Sequence, residues 1–390
     1  MSRTRIVLAA ALAAVLLAPL GLTPAATAQA PEPIKIGAIL AVTGPAANLG
    51  KPEANTLEML IEQTNATGGI KGRPVQLIVK DSQGNPEKAI SFAKQLIEED
   101  QVFAIIGPST TGETMKIKDL CEQAGTLLIS CAAAEVIVNP VARFVFKTPQ
   151  MDSQAVQRIY GTLKELGITQ IGVVASTTGF GNAGKAQLEK LAPSMGITIL
   201  ISETYDKDAT DLSAVLTKLK AAGVKAVVNW SIEPAQSIVP KNMKQIGLDV
   251  PLFQSHGFGN IRYVQAAGEA AEGIIFPAGR LLIAESLPAD HPQRAVLVKY
   301  KTDYETRFKE DASTFGGHAY DAFLVLTAGI NAAPEISREA VRTAIEGQKG
   351  LAGTAGVFNF SATDHCGLDL GAFEMLTVKG GKFVPYHHHK

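Results

Sequence analysis

From residue 34 onward, short runs rich in Val and Ile alternate with amphipathic stretches, at a pitch of about 25 to 30 residues. That alternation restricts the fold more than any other feature of the chain. "IKIGAILA" (34–41) reads as a buried strand, followed by the loop "VTGPAANLG" and a helix over "EANTLEMLIEQTNA" (53–66) that Gly68-Gly69 ends. "PVQLIVKD" is the next strand and "PEKAISFAKQLIEE" the next helix, with Pro86 at a helix start. "VFAIIG", "TLLISCA", "RFVFKT", "QIGVVAST", "ITILISETY" and "VKAVVNW" repeat the strand role. These runs are apolar on both faces, as in parallel sheets covered by helices. Strand–helix–strand repetition of this kind is βαβ packing.

The pattern changes after "GIIFPAGRLL" (Gly273–Leu282). A Pro- and acid-containing stretch gives way to helical periodicity over Arg294–Phe308, Gly317–Ala332 and Ser337–Glu346. The tail from Gly353 is rich in Gly and aromatics and reads as short strands with turns. Such an order predicts two α/β lobes joined more than once.

The first 28 residues carry Arg3 and Arg5, an apolar run and the small-residue step Ala26-Thr27-Ala28. This is the pattern of a secretory signal peptide cleaved after about Ala28, with Gln29 as the mature start. Pro19, Gly21 and Pro24 interrupt the run before a spanning length of roughly 20 residues. No Cys follows it, which argues against lipid attachment there. The remaining chain is too long for one core and suits two domains. With 36 basic and 37 acidic residues there is no charge excess to attract nucleic acid or an anionic membrane. Cys121, Cys131 and Cys366 are an odd number for an exported chain. A helix and a turn between the first two place them too far apart to bridge, so no structural disulfide is expected. The terminal "HHHK" is read as native or appended and is assigned no metal.

In an open parallel sheet, ligands sit outside the carboxyl ends of the strands. The loops there read "VTGPAANLG", "GPSTTG", "SCAAAE", "STTGFGNAG", "NWSIEP" and "SHGFGN". They are rich in small residues and hydroxyls and poor in carboxylates. In "GPSTTG", Ser109, Thr110 and Thr111 precede a helix. One hydroxyl suffices for a cap; three, with the free N–H groups of the helix start, predict capture of an anion.

"GFGNAG" (Gly179–Gly184) spells G-x-G-x-x-G, with Glu203 about 20 residues on. Dinucleotide binding is nevertheless disfavoured. Three residues separate the strand from the first glycine, the unit is not the opening one, and the chain is exported. Catalysis is not expected either. There is no G-x-S-x-G or H-E-x-x-H, and His256, His291, His318 and His365 are scattered. "DHC" (Asp364–Cys366) reads as a polar turn with nothing to activate the thiol. No cofactor and no metal site is predicted.

These residues resemble the periplasmic solute-binding proteins of ABC importers, in the leucine/isoleucine/valine-binding branch. The resemblance covers the whole mature chain, through "IKIGAILAVTGPAANLG", "GGIKGRPVQLIVKDSQGNPEKA", "FAIIGPSTTG", "LLISCAAAE", "GFGNAGK" and "SHGFGN". It implies an α/β fold of two Rossmann-like lobes with parallel sheets, joined by three hinge crossovers, with the ligand held between them. On this basis lobe 1 is expected over 29–149 plus 277–352, and lobe 2 over 150–276 plus 353–390. Carried over, Thr110 and Thr111 hold the ligand carboxylate, with Ala132 and Ala134 contributing contacts. Leu49 packs on the ligand, Phe180 covers it from the second lobe, and Trp230 adds an aromatic wall. The resemblance also implies a monomer in the periplasm, delivering a small molecule to an ABC permease in the inner membrane.

One departure matters most. The position aligned with His256 is usually a Glu that pairs with the α-ammonium of an amino acid. A buried ammonium needs a carboxylate, and unpaired it costs several kcal/mol or more. Glu233 is the nearest replacement, while Asp152 looks like a helix cap and Arg280 is an alternative anion partner. The expected ligand is therefore a small carboxylate lacking an α-amine, probed by Phe180 and Trp230 as an aromatic acid of benzoate or phenylpropanoid type. His256 would then hydrogen-bond a second polar group. An amino-acid receptor of the same transporter class and a ligand sensor are the alternatives.

Overall fold

The computed structural model describes residues 31–387. The signal-peptide reading, its cleavage point and most of the terminal His run therefore lie outside the described residues. The first half of the chain builds β1 (Ile34–Leu40), α1 (Ala47–Ala66), β2 (Val75–Asp81), α2 (Pro86–Lys94), β3 (Ala104–Ile106), α3 (Thr111–Gln123), β4 (Leu127–Ser130) and β5 (Val145–Lys147). These five strands form a parallel sheet in the order β2-β1-β3-β4-β5. β3, β4 and β5 are buried along their whole length, which is why the sequence shows runs there and not alternation.

The chain then lays down α4 (Asp152–Glu165), β6 (Gln170–Ser176), α5 (Gly179–Leu191), β7 (Thr198–Tyr205), α6 (Ser213–Ala221), β8 (Ala226–Trp230), α7 (Ile238–Gln245), β9 (Leu252–Gln254), α8 (Ile261–Ala267) and β10 (Ile275–Ala278). It continues through α9 (Arg294–Phe308), α10 (Thr314–Ala332), α11 (Arg338–Glu346), the short hairpin of β11 (Leu351–Ala352) and β12 (Val357–Phe358), then β13 (Glu374–Lys379) and β14 (Lys382–Pro385). The second sheet has the order β14-β13-β10-β9-β8-β6-β7. Its middle is parallel, and β13 and β14 close one edge as antiparallel strands.

Each sheet has its own core. Ile36, Ile106 and Ile129 pack with Ala322 and Leu326 of α10 in one; Val173, Val228 and Phe253 pack with Ile159 and Leu376 in the other. The chain passes between them after β5, after β10 and again between Ala372 and Phe373. The last passage lies further along than expected. Ala355, Phe358, Phe360, Cys366 and Leu368 pack in the first core, although the sequence reading gave everything from 353 to the second lobe. The Gly-rich tail hides the switch, because its aromatics belong to the first core up to Phe360 and only Glu374 onward pairs with β10.

Helix α1 also starts earlier than expected, at Ala47 and not after Pro52. Proline inside a helix leaves one carbonyl without its donor. Here that carbonyl is Asn48 O, and it accepts the Asn260 side-chain amide at 3.0 Å. α10 begins at Thr314, where the Ser313 hydroxyl accepts from Gly316 N, three residues ahead of the predicted Gly317. The three cysteines are free and buried. No helix of the described residues is long and apolar enough to cross a membrane.

Candidate ligand site between the two sheets

The loops after β3, β4, β5, β8 and β9 converge with the starts of α1, α3, α5 and α10 on a narrow inner cavity of about 20 Å³. Leu49, Ser109, Thr111 and Ala132 line it from the first sheet, and Phe180, Ile232 and His256 from the second. A wider pocket of about 440 Å³ lies against it, sharing Phe180 and Ile232.

The three hydroxyls of "GPSTTG" have three different fates. Thr110 is the N-cap of α3: its Oγ1 accepts from Glu113 N at 3.4 Å and donates to Glu113 Oε2 at 2.6 Å. It lines the outer pocket and not the inner cavity, contrary to its expected place on the ligand. The signal was in the sequence, since Thr110-x-x-Glu113 is a capping box. Ser109 Oγ accepts from Ala41 N at 3.0 Å and is hydrogen-bonded to the buried carboxyl of Glu53. Thr111 Oγ1 is buried on the cavity wall with no hydrogen-bond partner.

The other expected residues divide as clearly. Leu49, Ala132, Phe180 and His256 line the cavity, although Ala132 N already donates to Ser130 Oγ. Ala134 does not reach it; the lining from that loop is Cys131, Ala132 and Ala133. Trp230 is fully buried one layer back, with ring centroids 5.8 Å from Phe180 and 5.6 Å from His256. As the last residue of β8, it packs in the second core and supports the wall without forming it. Asp152 accepts from Glu135 N and Ser153 N. Arg280 is held by Glu374 and Gln293 away from the cavity. Glu233 accepts from Ser231 Oγ and Ile232 N and lines the outer pocket.

Sequence reasoning missed His318, Phe315 and Pro149, which all line the cavity. His318 arrives on α10, far along the chain from every recognised loop, and no local spacing announced it. Neither nitrogen of His256 has a partner, and neither does His318 Nδ1. Burial, then the charge of Lys147, holds His318 down at about 3 and His256 well below the ordinary imidazole range. Both rings are therefore neutral at pH 7. Lys147 itself is fully buried, donating to Pro149 O at 2.7 Å. The lining thus combines the hydroxyls of Ser109 and Thr111, the imidazoles of His256 and His318 and the apolar Leu49, Phe180, Ile232 and Phe315, and it contains no Asp or Glu.

The "GFGNAG" glycines serve packing. A Cβ on Gly179 would lie 2.7 Å from Gly112 N across the gap between the sheets, one on Gly181 would strike Ser176 O, and one on Gly184 the Trp230 ring. His365 is likewise structural, bonded to Val145 O and Glu346 and stacked on Phe146.

Two α/β cores facing each other across such a cavity match a known architecture. The model of a family described as periplasmic binding protein matches residues 33–373. The chain belongs to the periplasmic binding protein family. This periplasmic binding protein is 26% identical over 371 residues to the leucine-, isoleucine-, valine-, threonine- and alanine-binding protein of Pseudomonas aeruginosa, covering 94% of this chain and 92% of that one. An extracellular ligand-binding receptor from Rhodopseudomonas palustris HaA2 superposes with a TM-score of 0.85 at 28% identity, covering 92% of this chain and all of the other. The branched-chain amino acid transporter substrate binding protein LivJ of Streptococcus pneumoniae, in complex with isoleucine, superposes with a TM-score of 0.79 at 24% identity over 90% and 97% of the two chains. At that identity the likeness is one of fold. These relatives are named as binding proteins and ligand-binding receptors, and the chain described here is a periplasmic ligand-binding protein of that family.

Proposed function

We propose that this receptor captures a small carboxylate lacking an α-amine, an aromatic acid of benzoate or phenylpropanoid type, and delivers it to an ABC permease in the inner membrane. A signal peptide ending near Ala28 would export it to the periplasm. One observation carries the ligand reading: the inner cavity has no acid in its lining, and the buried ammonium of Lys147 stands behind its wall. An amino acid placed there would bury its α-ammonium without a counter-charge, near a like charge, at a cost of several kcal/mol or more. A carboxylate meets the opposite situation. It finds the unpartnered Thr111 hydroxyl and the start of α3, with no acid lining the cavity against it. Leu49, Phe180, Ile232 and Phe315 suit an apolar body, and His256 and His318 can hydrogen-bond a polar substituent.

The names of the relatives favour a second reading, an amino-acid receptor. It would have to draw on Glu233 from the outer pocket. A thermal-shift panel separates the two, because a ligand that binds only the native state raises the midpoint by mass action. Benzoate, 4-hydroxybenzoate, phenylacetate and cinnamate are expected to stabilise the protein, and leucine, valine and phenylalanine are not. Stabilisation by leucine instead would establish the second reading.

A further inference from the structure

Glu53 lies early in α1 and is fully buried. Its Oε2 shares a hydrogen bond with Ser109 Oγ, and its Oε1 has no partner. The charged group that acts on it is another carboxyl, Glu113. A buried carboxylate without a counter-charge is too costly to keep ionised, so Glu53 is a neutral acid.

The consequence follows from counting protons. A hydroxyl has one proton and two lone pairs. Ser109 Oγ already accepts Ala41 N–H, and Ser109 lines the inner cavity. Were Glu53 ionised, Ser109 would spend its proton on the carboxylate and turn only a lone pair toward the cavity. An anionic ligand would then meet no donor there and a negative charge behind it. With Glu53 neutral and its proton on Oε2, the oxygen that has a partner, the O–H donates to Ser109 Oγ, both lone pairs are used, and the Ser109 proton points elsewhere. We propose that Glu53 acts as a positioning residue, donating to Ser109 Oγ so that the Ser109 hydroxyl becomes an obligatory donor to the anionic group of the ligand.

The proposal rests on the reading that this anionic group sits at the 107–111 loop. Burial pushes Glu53 up to about 8. From the neighbouring elements it is faced by Glu113 on α3, also pushed up by burial, and by the Cys131 thiol after β4, pushed well above its ordinary range. Neither supplies a positive charge. Anion binding should therefore weaken as pH rises through about 8, and binding above that pH should take up a proton.

Two measurements test this. The first needs no ligand: the infrared difference between wild type and Glu53→Gln at pH 7 should contain the C=O band of a protonated carboxyl, and its absence would overturn the proposal. The second titrates benzoate or cinnamate calorimetrically between about pH 8 and 9.5 in buffers of different ionisation enthalpy. Wild type should take up close to one proton per ligand and lose up to tenfold in affinity per pH unit. Glu53→Gln keeps an N–H donor toward Ser109 and cannot ionise, so its affinity should stay flat. Zero uptake by the wild type overturns the proposal even if the variant fails to fold. A panel without any binding acid would sink the ligand reading, and would also remove the proposed ligand role of Ser109, while the infrared band would still report Glu53 as neutral or ionised.

Discussion

The Asn260 side-chain amide donates to the main-chain carbonyl of Asn48, the oxygen that Pro52 leaves without its helical donor. Asn48 belongs to the first sheet's half of the molecule and Asn260 to the loop after β9, so the bond ties the two halves together next to Leu49 of the cavity wall. Its other side-chain atom, Oδ1, accepts from Arg262 N and caps α8. Asn260→Asp keeps that cap and replaces the amide with an acceptor facing an acceptor. Loss of such a bond costs about 1–2 kcal/mol. Ligand affinity should fall roughly five- to thirtyfold, with little change in unfolding midpoint. Calorimetric titration of a binding acid checks the first and thermal melting the second.

A second contact across the same gap is steric. Gly179 at the start of α5 meets Gly112 at the start of α3 so closely that a Cβ would sit 2.7 Å from Gly112 N and 2.9 Å from its Cα. Backbone cannot yield as a flexible side chain can, so Gly179→Ala should hold the halves apart. We expect at least tenfold weaker binding and no compaction on ligand addition in small-angle scattering. Gly161→Ala in α4 meets nothing within 4 Å and is the control. It should leave binding unchanged and stabilise the helix by up to about 1 kcal/mol.

His256→Glu tests the lack of an acid in the cavity lining. It would place a carboxylate among Phe180, Trp230 and Phe373, whose rings surround the imidazole with centroids 5.3, 5.6 and 5.6 Å away. Aromatic acids should lose at least tenfold in affinity through charge repulsion, and leucine should gain measurable binding because its ammonium acquires a partner. Competition calorimetry with both ligand classes reads both changes. Thr111→Val is the matching test at the start of α3. It removes an unpartnered hydroxyl from the wall and should weaken every carboxylate by about 1 kcal/mol or more.

Most of the architecture was legible because buried parallel strands are written as apolar runs, and "VFAIIG" or "VKAVVNW" permits little else. The cavity was legible where residues lie in the loop or the first helical turn after a strand, as Thr111, Ala132, Phe180 and His256 do. It was not legible where the third dimension decides. Trp230 closes β8 itself and turns into the core, and His318 joins the wall from a helix that begins far from any ligand loop. Nothing in the sequence sets Glu53 apart from the other helical acids, since only the fold brings Ser109 and Glu113, and no cation, against it. The G-x-G-x-x-G pattern misled for a related reason: glycine spacing records close approach, and here the approaching groups are Gly112, Ser176 and Trp230 instead of a phosphate.

The two cavity imidazoles should also show in the pH dependence of stability. In the folded protein His318 is held down at about 3, against an ordinary 6.5, by burial and by Lys147. Below pH 6.5 the unfolded chain binds a proton at this position that the native state refuses. Its contribution is therefore fully present above about pH 6.5 and is lost as pH falls toward 3, at about 1.4 kcal/mol per pH unit. His256 acts in the same direction, while the raised Glu53 acts in the opposite one, so the wild-type profile alone does not isolate any of them. Comparison with His318→Gln does. Between pH 7 and 5 the wild type should lose about 2 kcal/mol more than the variant in urea unfolding. Parallel losses would mean that His318 is hydrated and titrates normally in the native protein, and would remove it from the dry wall of the site.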